Sequence, residues 1–314
     1  VTQKLEDLGQ PIRDVAEAAE TDAVMWSVTT IIDVIDKPAI VYWACEQTAN
    51  AAIDSVDTWQ AMMADQGRDE TVSWLRDARN RRPKTTLSDK DLGTIVHDLI
   101  EYYGLSGKRP DRDYCEEKVV AMGGPRLDVA GEVETAGRMF NQFDSWAQQA
   151  QPVYQATEVT VYSPTYGYAG TADAFLTIDG VRFIADYKTS RKSRTAGGKP
   201  KTPYPEQVGL QLGAYRFADH AAIWRPRRTE KFSRRYYLLG ATERELAVPV
   251  PEVDAGLVIQ ITPESCESFP INVDREAHTA FLYALEVFRW VEQTSKSIMG
   301  QPLTFPKRGD DDAR

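Results

Sequence analysis

GTADAFLTIDGVRFIADYKTS, residues 170–190, decides how this chain of 314 residues folds. Apolar and polar residues alternate on both sides of Asp179-Gly180, a dipeptide favoured in two-residue hairpin turns. The stretch therefore reads as two antiparallel strands. Such a turn fixes the register: Ile178 pairs with Val181, and each step outward adds one residue on either side. Asp173 then faces Asp186, with Cβ atoms about 5 Å apart. Alternation puts Lys188 on the same face as Asp186, with Ile184, Phe175 and Thr177 further toward the turn. Ala185 and Phe183 mark a buried opposite face.

Two directly opposed carboxylates repel unless a cation stands between them. A divalent ion bridging hard oxygen ligands meets that need, and magnesium or manganese suits such a site. Lys188 can face charge developing on a phosphoryl centre or position an attacking water. The competing reading is a surface hairpin with scattered charges, because D-x-K or G-x-x-D alone arises often by chance.

Working outward, ATEVTVYS (156–163) alternates like a strand. A helix is expected from Pro205 to about Ala222, strands at 234–239, 256–262 and 266–273, and a last helix from about Asp274 to Ser297. Upstream of Pro152 the texture is helical. Pro38 starts one helix, Ser88-Asp89-Lys90-Asp91 caps another, and Glu132–Ala150 forms a third. Gly104 reads as the stop of the capped helix, and residues 105–131 as irregular. The chain divides into an N-terminal arm (1–25), a helical region (26–152), an α/β core (153–298) and a flexible tail (299–314).

The net charge of −10 is uneven. Residues 76–84, 188–201 and 225–235 hold seventeen basic and two acidic residues, +15 together, which leaves −25 on the rest. An acidic body with concentrated basic segments can still grip phosphates locally, although such runs are as often solvated loops. Cys45, Cys115 and Cys266 form no C-x-x-C pair, which argues against a zinc knuckle or disulfide framework and for a reducing, cytoplasmic setting. No run approaches the roughly 18 apolar residues of a membrane span, and the first residues lack a signal-peptide layout.

Gly170-Thr-Ala-Asp173, Asp186-Tyr-Lys188 and Gln211-Leu-Gly-Ala-Tyr215, in this order, resemble the RecB-type branch of the PD-(D/E)XK nucleases. The likeness is strongest to its CRISPR-associated and phage-borne exonucleases. Ser27-Val-Thr-Thr, the YWA of residues 42–44 and Gly93-Thr-Ile-Val-His97-Asp-Leu-Ile-Glu101 resemble the N-terminal parts of phage members. The resemblance extends from about residue 26 to about residue 295. It implies a restriction-endonuclease-like fold with a mixed central sheet and a helical N-terminal part.

For activity it implies a metal-dependent DNA exonuclease, of phage or bacterial recombination, replication or end processing. A structure-specific endonuclease and a catalytically idle DNA-end binding or recombination-assembly module stay as alternatives. Asp173, Asp186 and Lys188 would be catalytic. Mg2+ or Mn2+ would be held by His97, Asp173, Asp186 and the Tyr187 carbonyl. Gln211 and Tyr215 would contact DNA or brace the active strand, against a reading as ordinary packing. Arg191, Lys192 and Arg194 would lead the strand in. Glu101 would orient His97 or be a plain surface acid, and Glu158 is a further candidate acid. Many CRISPR-associated members hold an iron–sulfur cluster on four cysteines, and three cysteines cannot supply it, so no iron–sulfur cluster is expected. No P-loop motif occurs, so a helicase or recombination protein is an open partner, as is a second copy of the chain.

Overall fold

A computed structural model describes residues 23–36, 38–80, 85–194, 198, 203, 205–222, 227–231, 234–239 and 248–303. The arm at 1–22, the tail from 304 and much of the three basic segments lie outside the described residues. The first strand, β1 (Ala23–Ser27), leads directly into a short helix, α1 (Val28–Ile32). This strand was not expected from the sequence, because Ala23–Ser27 is too short to show alternation. Helices α2 (Pro38–Asp54), α3 (Val56–Asp65) and α4 (Arg68–Arg76) follow and pack mainly on one another.

Helix α5 (Asp89–Ser106) begins where the capping motif placed it, with Ser88 Oγ accepting from Asp91 N at 2.8 Å. It does not stop at Gly104. The terminator is Gly107, at φ +63°, where a left-handed backbone favours glycine. Gly104 instead lets α5 come close to the next strand: a Cβ there would lie 3.2 Å from Thr157 and 3.3 Å from Tyr154. The stretch expected to be irregular contains α6 (Arg112–Met122), capped by Asp111. Its apolar residues are too sparse to reveal a face; only Cys115 and Val119 are buried. Helix α7 (Val129–Ala150) is capped by Asp128.

Strands β2 (Val153–Ser163), β3 (Tyr168–Ile178) and β4 (Val181–Thr189) come next, then α8 (Pro205–Arg216) and the short β5 (His220–Ala221). The expected helix thus ends earlier than Ala222. Strands β6 (Arg227–Lys231), β7 (Arg234–Leu239), β8 (Ala255–Ile261) and β9 (Cys266–Ile271) precede the last long helix, α9 (Arg275–Arg289).

All nine described strands join one mixed sheet, ordered β6-β7-β1-β3-β4-β8-β9, with β2 on β3 and β5 on β2. The β1–β3 and β4–β8 pairs are parallel and the others antiparallel. Both faces are covered. On one, Leu92, Ile95, Val96, Leu99 and Ile100 of α5 pack with Phe140 and Phe143 of α7 against Ala174, Leu176, Ala185 and Tyr187. On the other, α1, α8 and α9 pack against Phe175, Ile184 and Val258. This α/β architecture is the one the hairpin and its flanking texture implied.

Candidate active site

The hairpin adopts the register its turn dictates. Asp179 and Gly180 both have left-handed φ, +49° and +81°, as a type I′ turn requires. The ladder runs from Ile178↔Val181 to Ala174↔Ala185. There β3 parts from β4, and nearer its start it pairs with β1 through Ser27↔Ala169. At this fork a side chain takes over from the ladder: Tyr187 N donates to Asp173 Oδ2 at 2.6 Å. The ladder ends one step short of the expected Asp173–Asp186 pair, and the two carboxylates have different partners.

Asp173 looks toward α5. The helix is seated on β4 through Gly93, where a Cβ would lie 2.7 Å from Thr189 Oγ1. With its apolar stripe buried, α5 brings His97 Nδ1 to 3.8 Å from Asp173 Oδ2. The His97 ring meets Tyr187 edge-on, centroids 5.6 Å apart. Glu158 joins from β2. The register Thr157↔Ala174 and Val159↔Ala172 sets it opposite Asp173, and it has a left-handed φ of +49°, rare for a residue with a Cβ. One donor atom each from His97, Glu158 and Asp173 lie within 4.8 Å of one another. An imidazole with two carboxylates suits a divalent ion.

Asp186 is engaged from the opposite layer. It is 3% exposed, and Gln211 Nε2 of α8 donates to its Oδ1 at 3.0 Å. Lys188 Nζ stands 2.6 Å from Asp186 Oδ2, an oxygen that has no well-formed hydrogen bond. The same Gln211 offers Oε1 to Lys188 at 3.5 Å and donates to the Tyr215 hydroxyl at 3.2 Å. Tyr215 packs flat against the backbone at Gly170, where a Cβ would fall 2.2 Å from its ring. The three motifs that looked separate in sequence are therefore one connected network: Gly170 seats Tyr215, Tyr215 orients Gln211, and Gln211 holds both Asp186 and Lys188.

The electrostatics follow from burial first and from the neighbouring charges second. Burial pushes the Asp173 carboxyl above the usual carboxylate range, and Asp186 adds to this; His97, Lys188 and the Tyr187 amide pull the other way. Burial works against the charge on Lys188, but Asp186 and Asp173 outweigh it and hold the ammonium above its ordinary value. A bound cation would relieve the repulsion at Asp173 and satisfy the buried Oδ2 of Asp186, so the donor set fits a divalent ion.

The remaining candidates separate. Glu101 lies one turn beyond His97 on α5, half-buried, and is not among the three clustered donors. Arg191 does not reach into open solvent. Its guanidinium meets Glu132 Oε2 at 2.6 Å, Asp89 Oδ1 at 3.2 Å and Leu87 O at 3.1 Å, tying the end of β4 to α5 and α7. Glu132 and Asp89 as its partners had no sequence signal beyond their charge. Arg194 donates to Gly198 O, and Lys192 is exposed. Cys45 is exposed, Cys115 buried and Cys266 half-buried, all as free thiols.

Comparison with known proteins bears on the chain as a whole. The family model for the PD-(D/E)XK nuclease superfamily matches residues 72–300, which include α5, the hairpin and α8. The chain belongs to that superfamily. Its members are generally nucleases that use divalent metals, and the structure holds a His97–Glu158–Asp173 cluster of metal-ligating groups. Among solved structures, that of SSO0001 is similar: 16% identity, 67% of this chain and 78% of that chain covered, TM-score 0.27. No curated protein matches. Among the described residues no helix is long and apolar enough to cross a membrane.

Proposed function

We propose that this chain is a Mg2+- or Mn2+-dependent deoxyribonuclease that degrades DNA from an end. The observation that carries the reading is the convergence of two half-sites at the β3/β4 fork. His97, Glu158 and Asp173 form one half; Asp186, Lys188 and Gln211 form the other. The divalent ion would supply charge neutralisation at the scissile phosphate and acidify a water. His97, Asp173 and Asp186, with the Tyr187 carbonyl, would hold it. The left-handed backbone at Glu158 supports a role for this acid as well, because such conformations persist where surrounding structure holds them and they cluster at functional sites.

Lys188 would face the negative charge that builds on the phosphorus oxygens, an electrostatic contribution that operates only in the transition state. Gln211 fixes Asp186 through its amide nitrogen and contacts the lysine through its oxygen. Tyr215 keeps the amide turned so that its nitrogen faces Asp186.

The test is degradation of labelled single- and double-stranded DNA with manganese, magnesium or calcium. Wild type should release nucleotides from linear DNA and leave covalently closed single-stranded circles intact. Asp186→Ala and Lys188→Ala should each lower the rate by at least about a hundredfold. Cut circles would replace the exonuclease reading with an endonuclease. A wild type inert with every ion and DNA would leave a DNA-binding module.

A further inference from the structure

Gln260 is the only polar residue in β8, AGLVIQI. Strand β8 lies parallel to β4, with Lys188 and Gln260 as direct partners. Val258 packs with the α8 and α9 layer, whereas Ile259 and Ile261 pack with the α5 layer. Alternation therefore places Gln260 on the face where Lys188 and Asp186 meet Gln211, one strand spacing of about 4.8 Å from Lys188. Gln260 is 7% exposed, and its Oε1 has no hydrogen-bond partner among the described residues. Buried amide oxygens are normally bonded, so an orphan beside a charged donor calls for a physical account.

The neighbour supplies one. A lysine ammonium has three donors. In this structure it sits 2.6 Å from Asp186 Oδ2, the oxygen that a divalent ion would also take. An ammonium and a divalent cation cannot share that position, because like charges repel at such distances. On the reading of this site as a metal centre, Lys188 must step aside when the ion arrives, without leaving the catalytic face. We propose that Gln260 Oε1 is the acceptor to which Lys188 Nζ moves, so that Gln260 is a positioning residue acting through Lys188. Too buried to touch substrate, it gives the displaced ammonium a second hydrogen-bonded position.

Calcium titration by calorimetry tests this without turnover. Gln260→Met keeps size and removes the acceptor; it should weaken calcium binding about tenfold, one hydrogen bond to a charged group. Its metal-free melting temperature should stay level or rise, because the variant deletes an unsatisfied buried oxygen. Gln260→Glu, which keeps an acceptor, should restore at least wild-type affinity. Equal calcium affinity in Gln260→Met, or failure of Gln260→Glu to restore it, overturns the proposal. So does a lower metal-free melting temperature in Gln260→Met, which would mark an ordinary packing role. Wild-type calcium binding that Asp173→Ala abolishes leaves the metal-site reading standing in each of those cases. Its absence in wild type removes the metal-site reading and this proposal together.

Discussion

Replacing Gly170 by alanine adds one methyl group at the foot of the network. The new Cβ would lie 2.2 Å from Tyr215 Cε1 and 2.9 Å from both Cζ and the hydroxyl oxygen. Carbon contacts rest near 3.5–4.0 Å, so ring and strand must separate by about 1.5 Å. The ring has little room, because Tyr215 is 3% exposed and its hydroxyl is bonded to Gln211. Overpacking of this kind costs about 1–3 kcal/mol. Part of the displacement passes to Gln211, and thence to Asp186 and Lys188, so turnover should fall about ten- to a hundredfold. Urea denaturation measures the stability loss and initial rates on linear DNA measure the turnover. A double-mutant cycle isolates the cause: in a Tyr215→Ala background the clash has no partner, and Gly170→Ala should cost under about 0.5 kcal/mol. A Gly170→Ala variant with wild-type stability, or the same penalty in both backgrounds, would refute the chain of contacts.

Asp173→Asn should raise the metal-free melting temperature at pH 8 and have no such effect at pH 3. The folded-state pKa of Asp173 is raised, so its protonated form contributes stability that is lost as pH rises through that value, and asparagine removes the charge responsible. For the same reason the stabilisation given by manganese should grow from pH 4 to pH 8, as read by thermal melts with and without the ion. Arg191→Ala should destabilise by about 3 kcal/mol, because it leaves the Glu132 carboxylate, 4% exposed, without its cation; an unchanged urea midpoint would return Arg191 to a purely nucleic-acid role. Glu158→Gln should weaken manganese affinity several-fold with Asp186 untouched, and calorimetry showing wild-type affinity would remove Glu158 from the site.

The hairpin was legible because a two-residue turn leaves no freedom in register: Asp179-Gly180 alone places Asp173 and Asp186 at one level of the sheet. His97 was singled out through the motif from Gly93 to Glu101, and its helix was legible through the Ser88 cap and apolar stripe. What the sequence could not disclose was long-range and steric. Nothing in AVMWS marks a strand that pairs with residues some 140 positions away. Nothing in Tyr215 says that its ring rests on Gly170. The reach of Gln211 to both Asp186 and Lys188 depends on where α8 crosses β4, and this is set by packing. Helix α6 escaped notice because just two of its residues are buried, and Gly104 looked like a terminator when its task is close approach to β2. Glu158 carried the weakest signal, since one residue's left-handed backbone has no sequence signature unless it is glycine or asparagine.

The two halves of the site hang from opposite sides of one sheet. His97 is delivered by the α5 layer, and Gln211 by the α8 layer. The groups proposed to hold the ion and to stabilise charge therefore keep their spacing only while both layers press on β3 and β4 together. A cavity opened in either layer, by Leu99→Ala or by Leu212→Ala, would slacken one jaw of the same vice. This protein thus has no neutral half of its core. Loss of activity should run ahead of loss of fold wherever the damage falls, and an assay of turnover would serve as the most sensitive gauge of its packing.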